Sequence, residues 1–177
     1  MTSDPRVLDV PGVARFEVAP HHCFACGTTN VRGMGLVLHV APRTAWTSFT
    51  LERDFQGWEG IAHGGIIATV LDEVMAWSLA GTDDWGVTAR MTIAYRRPVP
   101  VGAPLRAEGT ITQRRRRLIE TSASLVADLD GEVLATATGT YVAADESRKQ
   151  ELRARYGLRD VPTPGSVDDP FVMDAIS

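Results

Sequence analysis

The sequence predicts an α+β domain in which one long buried helix packs against an antiparallel sheet. Residues 63–80 contain no proline, and their apolar residues fall at helical spacing with almost no polar face. That pattern is typical of a helix buried on most sides. The segments on either side of the helix alternate with a period of two and are joined by short turns, which favours antiparallel strands.

Two strands are predicted before the helix and four after it. The first two could pair as a hairpin around Pro42, and Asp130-Gly131 marks a tight turn between the last two. Because one helix cannot cover both faces of a six-stranded sheet, we expect the chain to associate with a partner. The six segments are 36–40, 45–51, 87–96, 105–113, 119–129 and 133–142.

These elements place the domain at residues 36–143. Residues 1–35 have no clear period and are expected to be an irregular N-terminal segment. Residues 144–177 are expected to form a short charged helix followed by a polar tail rich in Pro, Gly and Asp.

Composition and charge narrow the classes of partner. The chain has 177 residues, of which 44% are hydrophobic and 23% charged, as in ordinary soluble domains. Its net charge of −4 gives no reason to expect nucleic acid as a partner. No signal-peptide pattern or membrane-length apolar run is found, so we expect a cytoplasmic protein without a membrane partner.

Cys23 and Cys26 are the only cysteines, and they raise the question of a metal site. A structural zinc site needs four ligands, and a second Cys/His pair is missing. His21 and His22 adjoin each other and Cys23, which is poor spacing for wrapping one ion. The pair also lacks the strand-to-helix context of a redox dithiol. A structural loop without metal is therefore the favoured interpretation, with a metal site or a redox pair as alternatives.

Asp72 is the helix residue that fits a purely structural interpretation least well. It lies among apolar residues, although it could share a narrow solvent face with Glu73. At the start of the helix, Gly64 and Gly65 offer backbone N–H groups that lack intrahelical partners and could stabilise an oxyanion. Asp72 lies about two and a half turns further on. A site using both groups would therefore take them from two subunits.

Three ordered motifs resemble the PaaI-like hot-dog thioesterases. The run HGGIIATVLD at 63–72 resembles their H-G-G-x6-D signature. Upstream, CFACG at 23–27 with Asn30, Gly33 and Leu36 resembles the opening of one subgroup. Downstream, TARMTIAYRRPV at 88–99 resembles the T-x4-I-x-Y-x-R-P-V strand.

The resemblance implies a hot-dog fold that assembles as a dimer or a dimer of dimers. It also implies hydrolysis of an acyl-CoA or related acyl-pantetheine thioester, and a role for each matching residue. Asp72 would be the nucleophile or the general base, and the Gly64 N–H would bind the thioester oxyanion. His63 would orient the loop or the carbonyl, and the Thr88 hydroxyl would assist the water across the dimer interface. Gly57, with Gln56 beside it, stands where related sequences often carry asparagine, so the sequence departs from the family pattern at the position of that helper side chain.

Coenzyme A would need local positive charge, since the chain as a whole is acidic. Candidates are Arg96 and Arg97 before Pro98, Arg115 and Arg116 within an arginine run, and the backbone at Gly65. Solvated charge on a hairpin is the alternative for the arginine run. Tryptophans could line an acyl pocket or simply pack; they are Trp46, Trp58, Trp77 and Trp85.

Three rival functions stay open at this stage: a hot-dog dehydratase, a non-catalytic acyl-CoA-binding module and a small metal-binding protein. No cofactor is expected beyond the coenzyme A of the substrate. The acyl group, and the choice between coenzyme A and a carrier protein as donor, cannot be read from the sequence.

Overall fold

The computed structural model describes residues 6–10, 14–155 and 159–160. Its architecture is a six-stranded antiparallel sheet with one long helix packed on it, which confirms the predicted α+β class. The elements in chain order are β1 (Arg6–Val10), β2 (Ala14–Val18), β3 (His39–Ala41), β4 (Thr44–Thr50), β5 (Gln56–Trp58), β6 (Ile61–Ala62), α1 (Gly64–Ala80), β7 (Gly86–Tyr95), β8 (Pro104–Arg115), β9 (Leu118–Ala127), β10 (Val133–Ala143), α2 (Glu146–Arg155) and β11 (Arg159–Asp160).

The main sheet has the strand order β3-β4-β8-β9-β10-β7, and every neighbouring pair is antiparallel. The predicted hairpin before the helix is confirmed as β3–β4, although β3 begins at His39 rather than at residue 36. The Leu36 N–H donates to the Ala25 carbonyl, and the Leu36 and Leu38 side chains are buried. This stretch therefore belongs to the N-terminal loop and the core, not to the ladder.

Helix α1 lies directly on the sheet. Its buried residues include Val70, Leu71 and Val74, as the apolar pattern predicts. At Gly109 on β8, an added Cβ would lie 2.5 Å from the Val74 carbonyl oxygen, so only glycine lets the helix backbone approach this closely. This contact sets how closely α1 packs on the sheet, and therefore how far its polar residues lie from the strands.

The N-terminal segment is more ordered than the sequence indicates. The expectation of irregular structure is wrong for β1 and β2, which pair with each other and, through β2, with β11. Strands β1 and β2 are each five residues long, and β11 comes from the far end of the chain. Local periodicity therefore does not reveal this three-stranded sheet. The predicted charged helix is confirmed as α2. The predicted tail from residue 161 onward lies outside the described residues.

Strand β7 lies at one edge of the main sheet and pairs only with β10 among the described strands. Its side chains are unusually open for a strand so close to α1: Val87 is 71% exposed and Tyr95 is 53% exposed. No helix of the described residues combines the length and apolar character needed to cross a membrane.

Candidate active site

Asp72 projects from the middle of α1 and meets two hydroxyl groups from the sheet. The Thr88 Oγ1 on β7 donates to Asp72 Oδ1 at 2.8 Å. The Tyr141 hydroxyl on β10 donates to the same oxygen at 2.7 Å and lies 3.1 Å from the Asp72 main-chain carbonyl. No described residue bonds to Oδ2. One oxygen of the carboxylate is therefore held, while the other is available to water or substrate.

Tyr141 belongs to the candidate site and was missed by the sequence analysis. It occupies an inward-facing position of β10 and its side chain is completely buried, so its alternation pattern is that of a core aromatic. Burial, followed by the nearby Asp72 charge, raises the pKa of Tyr141. The phenol therefore remains a hydrogen-bond donor to the carboxylate. A polar aromatic at an inward strand position is the one sequence signal that could have identified it.

Thr88 lies beside Asp72 of its own chain. The resemblance had placed its hydroxyl across a dimer interface, whereas the 2.8 Å bond joins the two residues within one chain. Residue 88 comes sixteen positions after residue 72, and the turn after α1 brings β7 back along the helix. Thr88 can therefore orient the carboxylate without a partner subunit.

The first turn of α1 presents one unengaged N–H group. His63 caps the helix: its Nδ1 accepts the Gly65 N–H at 2.9 Å, and its carbonyl accepts from Ile66 and Ile67. The Gly65 N–H is thus already bound within the chain. The Gly64 N–H has no acceptor among the described residues, which leaves it for a ligand.

Tyr95 closes one side of this helix terminus. Its hydroxyl donates to the Gly64 carbonyl at 2.9 Å, and a Cβ added to Gly64 would come within 3.5 Å of the Tyr95 ring. Gly64 and Asp72 are eight residues apart, which corresponds to about 12 Å along a helix. The unengaged N–H and the carboxylate of one chain are too far apart to act on the same carbonyl group.

The two arginine pairs lie toward opposite ends of α1. Arg96 and Arg97 follow Tyr95, near the start of the helix, and the backbone N–H of each residue donates to the Leu134 carbonyl. The Arg97 guanidinium forms a salt bridge with Glu132. The Arg96 side chain is exposed.

Arg115 ends β8 and Arg116 lies in the turn to β9, and both are exposed. Their neighbour Arg114 donates to Asp84 at 2.8 Å, just beyond the end of α1. The hairpin expected from the sequence is therefore present, but the structure brings it to the end of α1 remote from Gly64.

A cavity of about 260 Å³ lies beside the second half of α1. Trp77 and Trp85 form part of its wall and contact each other edge to face, with ring centroids 6.4 Å apart. Trp46 instead stacks on His39, and Trp58 is 83% exposed. Two of the four tryptophans thus line this cavity, and Trp46 and Trp58 lie elsewhere.

The two cysteines line the same cavity and approach the helix at Glu73. The Cys23 Sγ lies 4.0 Å from Glu73 Oε1, and the Cys26 Sγ lies 3.3 Å from His21 Nε2. The Trp77 indole N–H donates to Glu73 Oε1 at 2.9 Å. The sequence analysis did not predict that Glu73 lies beside the cysteines, because residues 23 and 73 come together only in the tertiary structure.

These contacts shift the pKa values of the cluster. A hydrogen bond from the Cys26 thiol is the largest cause that lowers the pKa of Cys23 to about 5. The same contact, followed by burial, raises the pKa of Cys26. Burial, followed by the charge of Cys23, raises the pKa of Glu73 to about 7.

Comparison with known proteins agrees with this architecture. Residues 59–134 match the family model described as "Thioesterase superfamily". The thioesterase superfamily protein RHA08564 superimposes with a TM-score of 0.65 and 29% identity, over 71% of this chain and 62% of that one. The fold is the hot-dog fold. The matched part of this chain thus spans less than two thirds of the length of RHA08564.

Other solved hot-dog structures are more distant in sequence. The TT0310 protein from Thermus thermophilus gives a TM-score of 0.57 at 26% identity, over 62% of this chain and 92% of that one. The smu.793 protein from Streptococcus mutans, solved bound to acetyl CoA, gives 0.60 at 19% identity, over 66% and 94%. At that identity the likeness concerns the fold alone. No curated protein sequence matches the chain.

Proposed function

We propose that this protein hydrolyses an acyl-CoA thioester to the free acid and coenzyme A, with Asp72 as the catalytic carboxylate. The observation that carries the proposal is the binding state of Asp72: two hydroxyls hold Oδ1 and leave Oδ2 unengaged among the described residues. A structural aspartate within a largely apolar helix would be expected to satisfy both oxygens. The match to a thioesterase family model supports the same reaction class.

A carboxylate with one unengaged oxygen suits either of two routes. As a general base, Asp72 Oδ2 accepts a proton from water while the water oxygen attacks the thioester carbonyl carbon. As a nucleophile, Oδ2 attacks that carbon itself, and water hydrolyses the resulting anhydride. In both routes the C–S bond breaks, and the thiolate of coenzyme A leaves and takes up a proton.

The oxyanion formed in either route needs a donor close to the carboxylate. The Gly64 N–H has no acceptor among the described residues, but it lies about 12 Å along α1 from Asp72 of the same chain. We therefore assign it to the site of a second copy, in a homodimer. Strand β7 supports this arrangement, because it presents an unpaired edge with exposed Val87 to an incoming chain.

Mixing two inactive variants tests the shared site. Gly64→Pro removes the N–H at the first helical position, where proline is tolerated, and the extended backbone of His63 (φ −63°, ψ 135°) suits a residue before proline. Mixed dimers of Gly64→Pro with Asp72→Asn each retain one intact site if the two groups come from different chains. Unfolding and refolding the mixture should restore about a quarter of the wild-type activity. If both groups act within one chain, no activity returns.

Coenzyme A recognition is assigned to the arginines near the start of α1. Arg96 and Arg97 follow Tyr95, whose hydroxyl meets the Gly64 carbonyl, and an arginine can bind a phosphate bidentately. The solved structure of smu.793 with acetyl CoA shows that this fold can bind the coenzyme. Binding of phosphates by Arg115 and Arg116 stays a prediction, since they lie at the other end of the helix.

The principal experiment measures thiol release from acyl-CoAs ranging from acetyl to palmitoyl, together with phenylacetyl and benzoyl, in the wild type and in Asp72→Asn. We expect kcat to fall by roughly 10²- to 10⁴-fold, as for loss of a general base. Glu120→Gln is a matched control, because Glu120 is also a carboxylate held by a sheet hydroxyl, that of Thr140 at 2.9 Å. Full turnover in Asp72→Asn would refute the assignment, and binding without turnover in the wild type would indicate a non-catalytic acyl-CoA module.

A further inference from the structure

We propose that Cys23, Cys26, His21 and Glu73 form a zinc site that fastens the N-terminal loop to α1. The proposal is independent of the thioesterase reaction. It reverses the interpretation from the sequence alone, in which the pair was a loop without metal. The fold supplies what the sequence pattern lacked, because a carboxylate from the helix takes the place of a second Cys/His pair.

The ligand atoms of Cys23, Cys26 and Glu73 lie close enough to converge on one ion after small side-chain shifts, and His21 adjoins this group at Cys26. Zinc binds sulfur at about 2.3 Å and nitrogen or oxygen at about 2.0 to 2.2 Å, so tetrahedral ligand atoms lie roughly 3.3 to 3.8 Å from one another. The Cys23, Cys26 and Glu73 ligand atoms all lie within 4.8 Å of one another. The His21 Nε2 lies 3.3 Å from the Cys26 Sγ, and the Glu73 Oε1 lies 4.0 Å from the Cys23 Sγ.

The orientation of His21 favours metal binding. Its Nδ1 lies 3.2 Å from the Ala19 carbonyl oxygen, which can only accept, so the ring proton resides on Nδ1. Nε2 then carries the lone pair and faces the Cys26 sulfur. Metal-binding histidines are commonly fixed in this way, through donation of the other ring N–H to a backbone carbonyl.

Glu73 is oriented in the same manner. The Trp77 indole N–H donates to Oε1 at 2.9 Å, which fixes the carboxylate against the cysteine loop. Ligating carboxylates are usually held by such an outer hydrogen bond. His22, by contrast, points away from the cluster and lies 3.5 Å from the Thr29 hydroxyl.

The loop that carries the cysteines is built tightly around them. The Gly27 N–H donates to the Cys23 carbonyl at 3.0 Å, and a Cβ at Gly27 would lie 2.4 Å from that oxygen. The turn holds the Cys23 and Cys26 sulfur atoms within 4.8 Å of each other and of a Glu73 carboxylate oxygen.

The charge balance of the cluster points to a cation. Glu73 is partly buried, and within the described ranges no lysine or arginine forms a salt bridge with it. Placing a carboxylate beside two thiols without a positive partner is costly. A divalent ion with thiolate, imidazole and carboxylate ligands removes this cost, and the mixed sulfur and nitrogen set selects zinc over magnesium or calcium.

Cobalt(II) titration of the full-length, tag-free, metal-stripped protein tests the site. Cobalt takes the place of zinc and reports tetrahedral thiolate binding by its visible and near-ultraviolet absorption. We expect saturation at about one cobalt per chain, with displacement by zinc. A wild-type protein without the thiolate–cobalt bands would overturn the proposal. A Cys23–Cys26 disulfide that persists after reduction and zinc addition would also overturn it, in favour of a redox pair.

The adjacent histidines provide a matched pair of variants. His21→Ala should weaken zinc binding by more than about 10-fold, because it removes one of four ligands. His22→Ala should leave the affinity unchanged, since His22 faces Thr29. Equal affinities in the two variants would exclude His21 from the ligand set and contradict the four-ligand site. Because both variants retain both cysteines, the test does not depend on the folding of a cysteine mutant.

Discussion

Asp72 and Glu73 occupy consecutive positions on α1, and consecutive side chains leave a helix about 100° apart. Both are partly buried carboxylates on a largely apolar helix. Asp72 points toward β7 and β10 and meets the hydroxyls of Thr88 and Tyr141. Glu73 points toward the N-terminal loop and meets a thiol and the Trp77 indole.

The contrast shows that the partners, rather than the carboxylate, determine the chemistry of each position. Hydroxyl donors on one oxygen orient Asp72 and leave its other oxygen for a substrate or water. Two cysteine thiols instead lie beside Glu73, in the proposed zinc site. Three substitutions, in order of decreasing expected effect, test whether this difference is functional.

Tyr141→Phe should have the largest effect, on the Asp72 side. It removes the donor to Oδ1 while keeping the ring, and a hydrogen bond to a charged group contributes about 1.5–3 kcal/mol. We expect kcat to fall on the order of 100-fold with little change in KM, because Tyr141 positions the carboxylate rather than binding substrate. Steady-state kinetics on the best acyl-CoA measures both constants.

The control for this substitution is Thr121→Val, which also removes a buried hydroxyl, one that lies 3.2 Å from the Gly139 carbonyl. It should destabilise the fold without lowering kcat per folded molecule. Equal losses of kcat in the two variants would mean that Tyr141 acts only through stability.

Trp77→Phe tests the Glu73 side. It removes the indole donor to Oε1 and keeps an aromatic wall for the cavity. Loss of an outer hydrogen bond to a metal ligand typically weakens metal binding by about 10- to 100-fold, and we expect the lower value here. Zinc affinity is measured by competition with a chromophoric chelator. Trp85→Phe, on the same cavity wall, should leave the zinc affinity unchanged. If Trp85→Phe lowers the zinc affinity as much as Trp77→Phe does, the loss comes from altered packing of the cavity wall.

Thr88→Val should have the smallest effect. The Thr88 side chain is exposed, so water can replace its hydroxyl, and a net contribution near 0.7 kcal/mol corresponds to about a threefold fall in kcat. Thr88→Ser should restore wild-type turnover because it keeps the donor. Thr138→Val on the neighbouring strand is the control. A loss greater than that of Tyr141→Phe would reverse the order of the two donors.

Much of the fold follows from local patterns in the sequence. The uniform apolar character of 63–80 predicts α1, and the period of two predicts the six strands of the main sheet to within a few residues. Short turns give their antiparallel sense. Local patterns do not predict the small β1-β2-β11 sheet. Its first two strands are only five residues long, and β2 pairs with a two-residue strand more than 140 positions away.

The candidate site divides in the same way. Asp72 and the His63-Gly64-Gly65 start of α1 are conspicuous in the sequence because charge and glycine interrupt an apolar helix. The Tyr141 hydroxyl cannot be assigned to Asp72 from the sequence, since it comes from a strand 69 residues away. Glu73 cannot be assigned to the cysteines either, because 50 residues separate it from Cys23.

The sequence by itself determined α1, the strands of the main sheet and their order along the chain, and the reaction class that its motifs resemble. The tertiary structure alone decided which groups meet. Periodicity records the direction in which a side chain leaves its own element, whereas the contacts of Asp72 and Glu73 depend on the packing of distant elements against α1. The contacts of the two neighbouring carboxylates therefore differ only because β10 packs beside Asp72 and the N-terminal loop packs beside Glu73.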